Sequence, residues 1–108
     1  GKQTDALNNL LYFTTQKDVP VIFINTPLTD EYLDSRRTKA EEEFRQYMVQ
    51  VANRSAFMTF RDLGQLWPQR YAYFSDPSHL NRYGAYQVSN RLAQDPLIAW
   101  PEAGVTTE

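Results

Sequence analysis

The chain has 108 residues, 42% of them apolar, with 13 acidic against 11 basic side chains and a formal charge of -2. That suffices for one small domain with a modest core, and the acidic balance excludes a dedicated nucleic-acid binder, which carries a basic stripe. With no cysteine there is no disulfide framework or thiolate metal site, and no apolar run approaches the ~20 residues of a membrane span.

In chain order, Ala6, Leu7, Leu10, Leu11 and Thr14 recur at helical spacing and predict an amphipathic helix from about Thr4 to Gln16. Val19 to Asn25 is a β-branched apolar run without alternation, the pattern of a buried parallel strand. Pro27, Thr29 and Asp30 mark a loop, after which Asp34 or Ser35 can cap a helix running to about Asn53. Ala40, Phe44, Tyr47, Met48 and Val51 give that helix its apolar face. Glu41-Glu42-Glu43 reads as its solvated start, and the basic clusters (Arg36, Arg37 and Lys39; Arg82 and Arg91) read as solvated helix faces answered by nearby acids.

Ala56 to Phe60 reads as a second strand. Gly64 to Ser75 is an aromatic-rich irregular stretch, and Asn81 to Gln94 reads as a third helix ended by Asp95-Pro96. Residues 102–108 form a tail expected to fray. The order helix–strand–helix–strand–helix implies an α/β fold with a small parallel sheet. Two strands cannot cover themselves, so a strand edge should be exposed or covered by a second copy, and a homodimer is expected.

The chemistry concentrates in Asp76-Pro77-Ser78-His79-Leu80-Asn81, followed by Gly84, which holds the only histidine. Aspartate and proline suit the first two positions of a type I turn, and the fourth position lies across from the first. A carboxylate held against one imidazole nitrogen fixes the tautomer and leaves the other as a general base. Asp76 and His79 are therefore the candidate catalytic residues. Ser75 and Ser78 flank them, but a serine adjacent to the histidine in a turn is not expected to present its hydroxyl to the ring.

This block resembles the last conserved block of the SGNH, or GDSL-like, hydrolase superfamily. Together with Val19-Pro20-Val21-Ile22-Phe23-Ile24-Asn25-Thr26-Pro27-Leu28-Thr29 and Phe60-Arg61-Asp62-Leu63, it is similar to a cyanobacterial domain-of-unknown-function branch, itself related to SGNH proteins that acylate alginate and teichoic acids. The resemblance covers nearly the whole chain, in the order of such a domain's C-terminal half, and implies a partial SGNH/flavodoxin-like sandwich. It implies an esterase or O-acyltransferase working on acyl esters, as on surface polysaccharides, with an extracytoplasmic or membrane-associated setting. Such enzymes carry their nucleophile in a Gly-Asp-Ser block, and none of Gly1, Gly64, Gly84 or Gly104 precedes an Asp-Ser pair. The chain opens on Gly1 and is read as the C-terminal part of a larger domain, inert alone. The competing reading is a non-enzymatic α/β module for assembly or carbohydrate binding, its dyad a relic.

The other residues have structural readings. Asn81 caps the third helix, Gly84 lets it approach the sheet, and Asn25 and Thr26 turn the chain at a strand's carboxyl end. Asp62 caps or forms a salt bridge. Trp67, Tyr71, Tyr73 and Phe74 pack in the core rather than line an acyl or sugar pocket. No cofactor is expected, and one histidine with one carboxylate supplies at most two metal ligands.

Overall fold

The computed structural model describes residues 1–100, so the tail at 102–108 lies outside the described residues. The fold is α/β, with α1 at Lys2–Gln16, β1 at Val21–Asn25, α2 at Ser35–Arg54 and β2 at Met58–Asp62. A 3-10 turn at Tyr71–Tyr73 follows, then β3 at Phe74–Asp76, β4 at His79–Leu80 and α3 at Arg82–Ala93. The expected three helices and parallel sheet are present. The antiparallel β3–β4 pair was not expected, and it comes from the end of the aromatic stretch folding back on the dyad block.

Strand starts differ from the sequence reading for local reasons. Val19 donates its amide to the Thr14 carbonyl at 2.8 Å, Asp18 turns the chain at φ 54°, and Pro20 has no N–H, so pairing begins at Val21. After α2 the chain reverses through Ser55–Phe57, so β2 begins at Met58 rather than Ala56. Asp34 caps α2 by accepting from the Arg37 amide at 2.8 Å.

The two long strands pair in parallel, from Val21 opposite Met58 to Asn25 opposite Asp62, with the 20-residue α2 as the crossover. At the ends of the ladder Val21 donates to the Phe57 carbonyl (2.7 Å) and Leu63 to the Asn25 carbonyl (2.9 Å). Odd-numbered β1 residues thus bond to β2. Ile22 and Ile24, alternating with them, turn their amides and carbonyls toward the other edge, where no described strand pairs.

One sheet face carries the core. Val21, Phe23 and Phe60 pack with Met58 against Phe44, Tyr47, Met48 and Val51 of α2 and Leu7 and Leu11 of α1. Phe23, Phe44 and Phe60 form a triangle with ring centroids 6.1–6.2 Å apart, within the range of favourable aromatic pairs. The α1 stripe is split: Leu7 and Leu11 face this core while Leu10 and Phe13 stay largely exposed.

The molecule is more open than its size predicts. It exposes 8116 Å², against about 6,200 Å² for a folded monomer of this mass. Its radius of gyration is 15.8 Å, against about 13 Å for a compact domain of this length.

Candidate active site

The site is a two-residue turn, Pro77-Ser78, closing the β3–β4 hairpin with Asp76 opposite His79. Facing positions bring the two side chains together on one side of the turn. His79 Nδ1 lies 2.8 Å from Asp76 Oδ1 and 3.0 Å from Oδ2. An ionised carboxylate only accepts, so Nδ1 carries the proton that is donated, and in the neutral ring Nε2 keeps the lone pair. The imidazole is 73% exposed, so Nε2 is open to a reacting group. Asp76 Oδ1 also accepts from the Ser78 amide at 3.0 Å. The hydrogen bond from His79, then that amide, hold the Asp76 carboxyl below its ordinary value.

Ser78 departs from expectation. Its hydroxyl does reach the imidazole, with Oγ 3.1 Å from His79 Nδ1. It reaches the nitrogen whose single proton is committed to Asp76, so that nitrogen has no lone pair with which to activate a hydroxyl. Ser78 is therefore not an activated nucleophile, for a reason of tautomer rather than of reach. Ser75 points elsewhere, its hydroxyl donating to the His79 carbonyl at 3.3 Å.

The turn is clamped from two sides. Thr29, in the loop after β1, is 1% exposed and donates both its amide (3.1 Å) and its hydroxyl (2.6 Å) to the Pro77 carbonyl. Asn81 accepts from the Tyr83 and Gly84 amides at 3.0 Å as the N-cap of α3. Its own side-chain amide donates to the Ala72 carbonyl at 2.7 Å. One residue thereby joins the 3-10 turn to α3. Gly84 permits a close approach, but to the hairpin region rather than to the parallel sheet: a Cβ there would fall on the Tyr73 carbonyl and Leu80.

A small cavity of about 150 Å³ adjoins the dyad, with Thr29, Glu31, Tyr71, Phe74 and Asp76 in its wall. Tyr71 is not a core residue. It is 46% exposed, and its hydroxyl donates to Asp30 Oδ1 at 2.5 Å. That bond, with burial and the nearby carboxylates adding to it, pushes the phenol up to about 12. Trp67 and Tyr73 pack edge to face with centroids 5.0 Å apart.

A second polar cluster, at the carboxyl ends of β1 and β2, was not legible as a unit. Asn25 donates its amide hydrogens to Glu41 Oε2 (3.1 Å) and Asp62 Oδ1 (3.0 Å), and the Gly64 amide also donates to Asp62 Oδ1 at 2.9 Å. Glu41 is thus a strand-to-helix tie, not a solvated helix start. The two acceptors lie 16 and 37 positions from Asn25, a separation that carries no sequence signal. Among the described residues no group of three histidine, cysteine or acidic side chains could hold a metal ion, and no helix is long and apolar enough to cross a membrane.

Compared with protein-family models, curated proteins and solved structures, the chain matches none.

Proposed function

We propose that the chain is the Asp-His-bearing part of an SGNH-like esterase or O-acyltransferase acting on acyl esters such as those of surface polysaccharides. The observation that carries this reading is the Asp76–His79 pair, with Nδ1 held at 2.8 Å and Nε2 open. Nε2 takes the proton of an upstream serine hydroxyl as that oxygen attacks the ester carbonyl, then returns it to the leaving alcohol. Asp76 orients the ring and stabilises the imidazolium. Water or a second alcohol then takes the acyl group from the serine. The nucleophile and oxyanion donors come from a Gly-Asp-Ser-bearing segment of the parent protein, so the chain alone is inert.

The test is p-nitrophenyl acetate hydrolysis by the chain alone, beside imidazole at equal concentration, and by the chain joined to its parent's upstream segment. The isolated chain should match imidazole. The joined protein should turn over and lose about 10²–10⁴-fold on His79→Ala. Turnover by the isolated chain that a serine-directed inhibitor abolishes, or a joined protein indifferent to His79→Ala, overturns the reading.

A second reading, a non-enzymatic α/β module with a relic dyad, is favoured by the exposure of His79 and by the absence of any hydroxyl on Nε2 among the described residues. It predicts an inactive joined protein. In either case we propose that the isolated chain forms a homodimer through the open edge of β1, which the surface excess and the outward-turned backbone groups of Ile22 and Ile24 support.

A further inference from the structure

A groove of about 550 Å³ opens between the end of β2 and α3, and none of the residues lining it belongs to the dyad or its turn. Arg61 and Trp67 form one side, and Gln87, Asn90 and Arg91 of α3, with Gln94 that caps its end, the other. These α3 positions fall three to four residues apart, so they share one helix face. That face presents three carboxamides and a guanidinium with no apolar side chain among them, which is not the surface of a core awaiting its other half.

Arg61 is a charged side chain on a parallel strand, and it is held in place. Its Nε donates to Asp95 Oδ2 at 2.5 Å, and the Asp95 side chain is 6% exposed. The other Asp95 oxygen accepts from the Leu97 amide at 2.9 Å. Asp95 thus uses both oxygens and orients the guanidinium plane, while Arg61 has spent one of its five donors. Arg91 has no salt-bridge partner among the described residues. Its charge still reaches Asp95, whose carboxyl is held below its ordinary value by the Leu97 amide first, then by Arg61 and Arg91. Among the described residues one carboxylate therefore answers two guanidiniums, which leaves the groove with a positive charge that no other acid pairs.

We infer that this groove binds a hydroxylated, sugar-sized ligand carrying one oxyanion, a carboxylate or a phosphate. The pre-oriented Arg61 fork and Arg91 match the paired oxygens that a carboxylate or a phosphate presents. The three carboxamides each offer a donor and an acceptor to hydroxyls. The Trp67 indole supplies an apolar wall for the ring's C–H surface. The volume falls within the range of small-molecule sites, and its opening to solvent implies weak, millimolar affinity. The inference goes beyond the acyl-transfer reading and does not depend on it.

Binding is read by NMR titration of the nitrogen-15-labelled chain with D-glucuronate, glucose 1-phosphate and glucose. The expected result is saturable shifts of the Trp67 indole and the Asn90 and Gln94 carboxamide signals with at least one of the two anions. Glucose should bind about tenfold more weakly, the loss of a charge-assisted hydrogen bond. The tighter anion identifies the oxyanion as carboxylate or phosphate. Arg91→Gln, an exposed substitution that leaves the Arg61–Asp95 pair in place, should weaken anion binding about tenfold with an unchanged circular dichroism spectrum. No saturable shift with either anion, equal binding of glucose, or undiminished binding by Arg91→Gln overturns the inference. Because no turnover is measured, its failure leaves the acyl-transfer reading standing, and the reverse also holds.

Discussion

Thr29 and Pro77, 48 positions apart, meet at a single carbonyl: the Thr29 hydroxyl donates to the Pro77 oxygen at 2.6 Å and its amide at 3.1 Å. This is the joint through which the loop after β1 fixes the turn bearing Asp76 and His79. Thr29→Val keeps the β-branched outline and the amide bond while removing the hydroxyl donor. The Pro77 carbonyl keeps one partner, so the expected cost is about 1 kcal/mol, read as a lower urea midpoint with an unchanged m-value. Unchanged stability would mean that the amide alone anchors the turn.

Asp76 should titrate below 3.8, its ordinary value, because His79 and then the Ser78 amide favour the carboxylate. The sign follows from linkage: a depressed folded pKa gives stability that is present above the unfolded value and lost as pH falls through the folded one. Carboxyl carbon-13 NMR should show the midpoint rising toward 3.8 in His79→Ala. A midpoint indifferent to that substitution would mean that the pair is not formed in solution.

Local signals and tertiary partnerships differed in legibility along this chain. Asp34 and Asn81 cap helices where their residue type predicts, because a capping side chain acts within three positions of itself. The meeting of Asp76 and His79 was readable for the same reason, since a proline turn sets their approach locally. The β3–β4 ladder was not, because two- and three-residue strands carry no periodicity. Ser78 shows a finer limit: adjacency to His79 in a tight turn argued that its hydroxyl would miss the ring, yet it meets the nitrogen already held by Asp76. The Arg61–Asp95 pair, 34 positions apart, had no local mark at all.

Gly84→Ala should destabilise the domain. The new methyl group would lie 2.8 Å from Leu80 Cδ2 and 2.9 Å from Tyr73 Cβ, against a backbone carbonyl that cannot swing aside. Alanine gains about 1 kcal/mol of helix propensity, and overpacking costs about 1–3 kcal/mol. The contact to backbone puts the cost at the upper end, so Tm should fall by several degrees. A raised Tm would show that α3 can slide on the hairpin.

Tyr71 should titrate near 12 although it is 46% exposed. The first cause is its hydrogen bond to Asp30, so Asp30→Asn should bring it back toward 10 by removing the acceptor charge. Phenolate absorbance resolves this when Tyr71→Phe is subtracted. A Tyr71 midpoint near 10 in the unsubstituted chain would show that the loop after β1 does not hold Asp30 against the ring.

The isolated chain should dimerise through β1. Ile22 and Ile24 turn their amides and carbonyls to an edge that no described strand pairs, and Val19, just before the strand, is 45% exposed. An unpaired edge of β-branched residues is a template for another strand. Two copies related by a two-fold axis can pair β1 with β1 antiparallel, giving a four-stranded sheet, with Leu10 and Phe13 of α1 available to extend the contact. The chain exposes about 1,900 Å² more than a folded monomer of its mass, and a stable dimer buries about 800 Å² per partner, so the surplus is sufficient. Sedimentation velocity over a range of concentrations should show a concentration-dependent dimer, and Ile24→Lys should return it to monomer by placing a charge on the pairing edge. A compact monomer at tens of micromolar would mean that solvent satisfies the β1 edge at no net cost. Dimers unchanged by Ile24→Lys would place the contact on α1 instead.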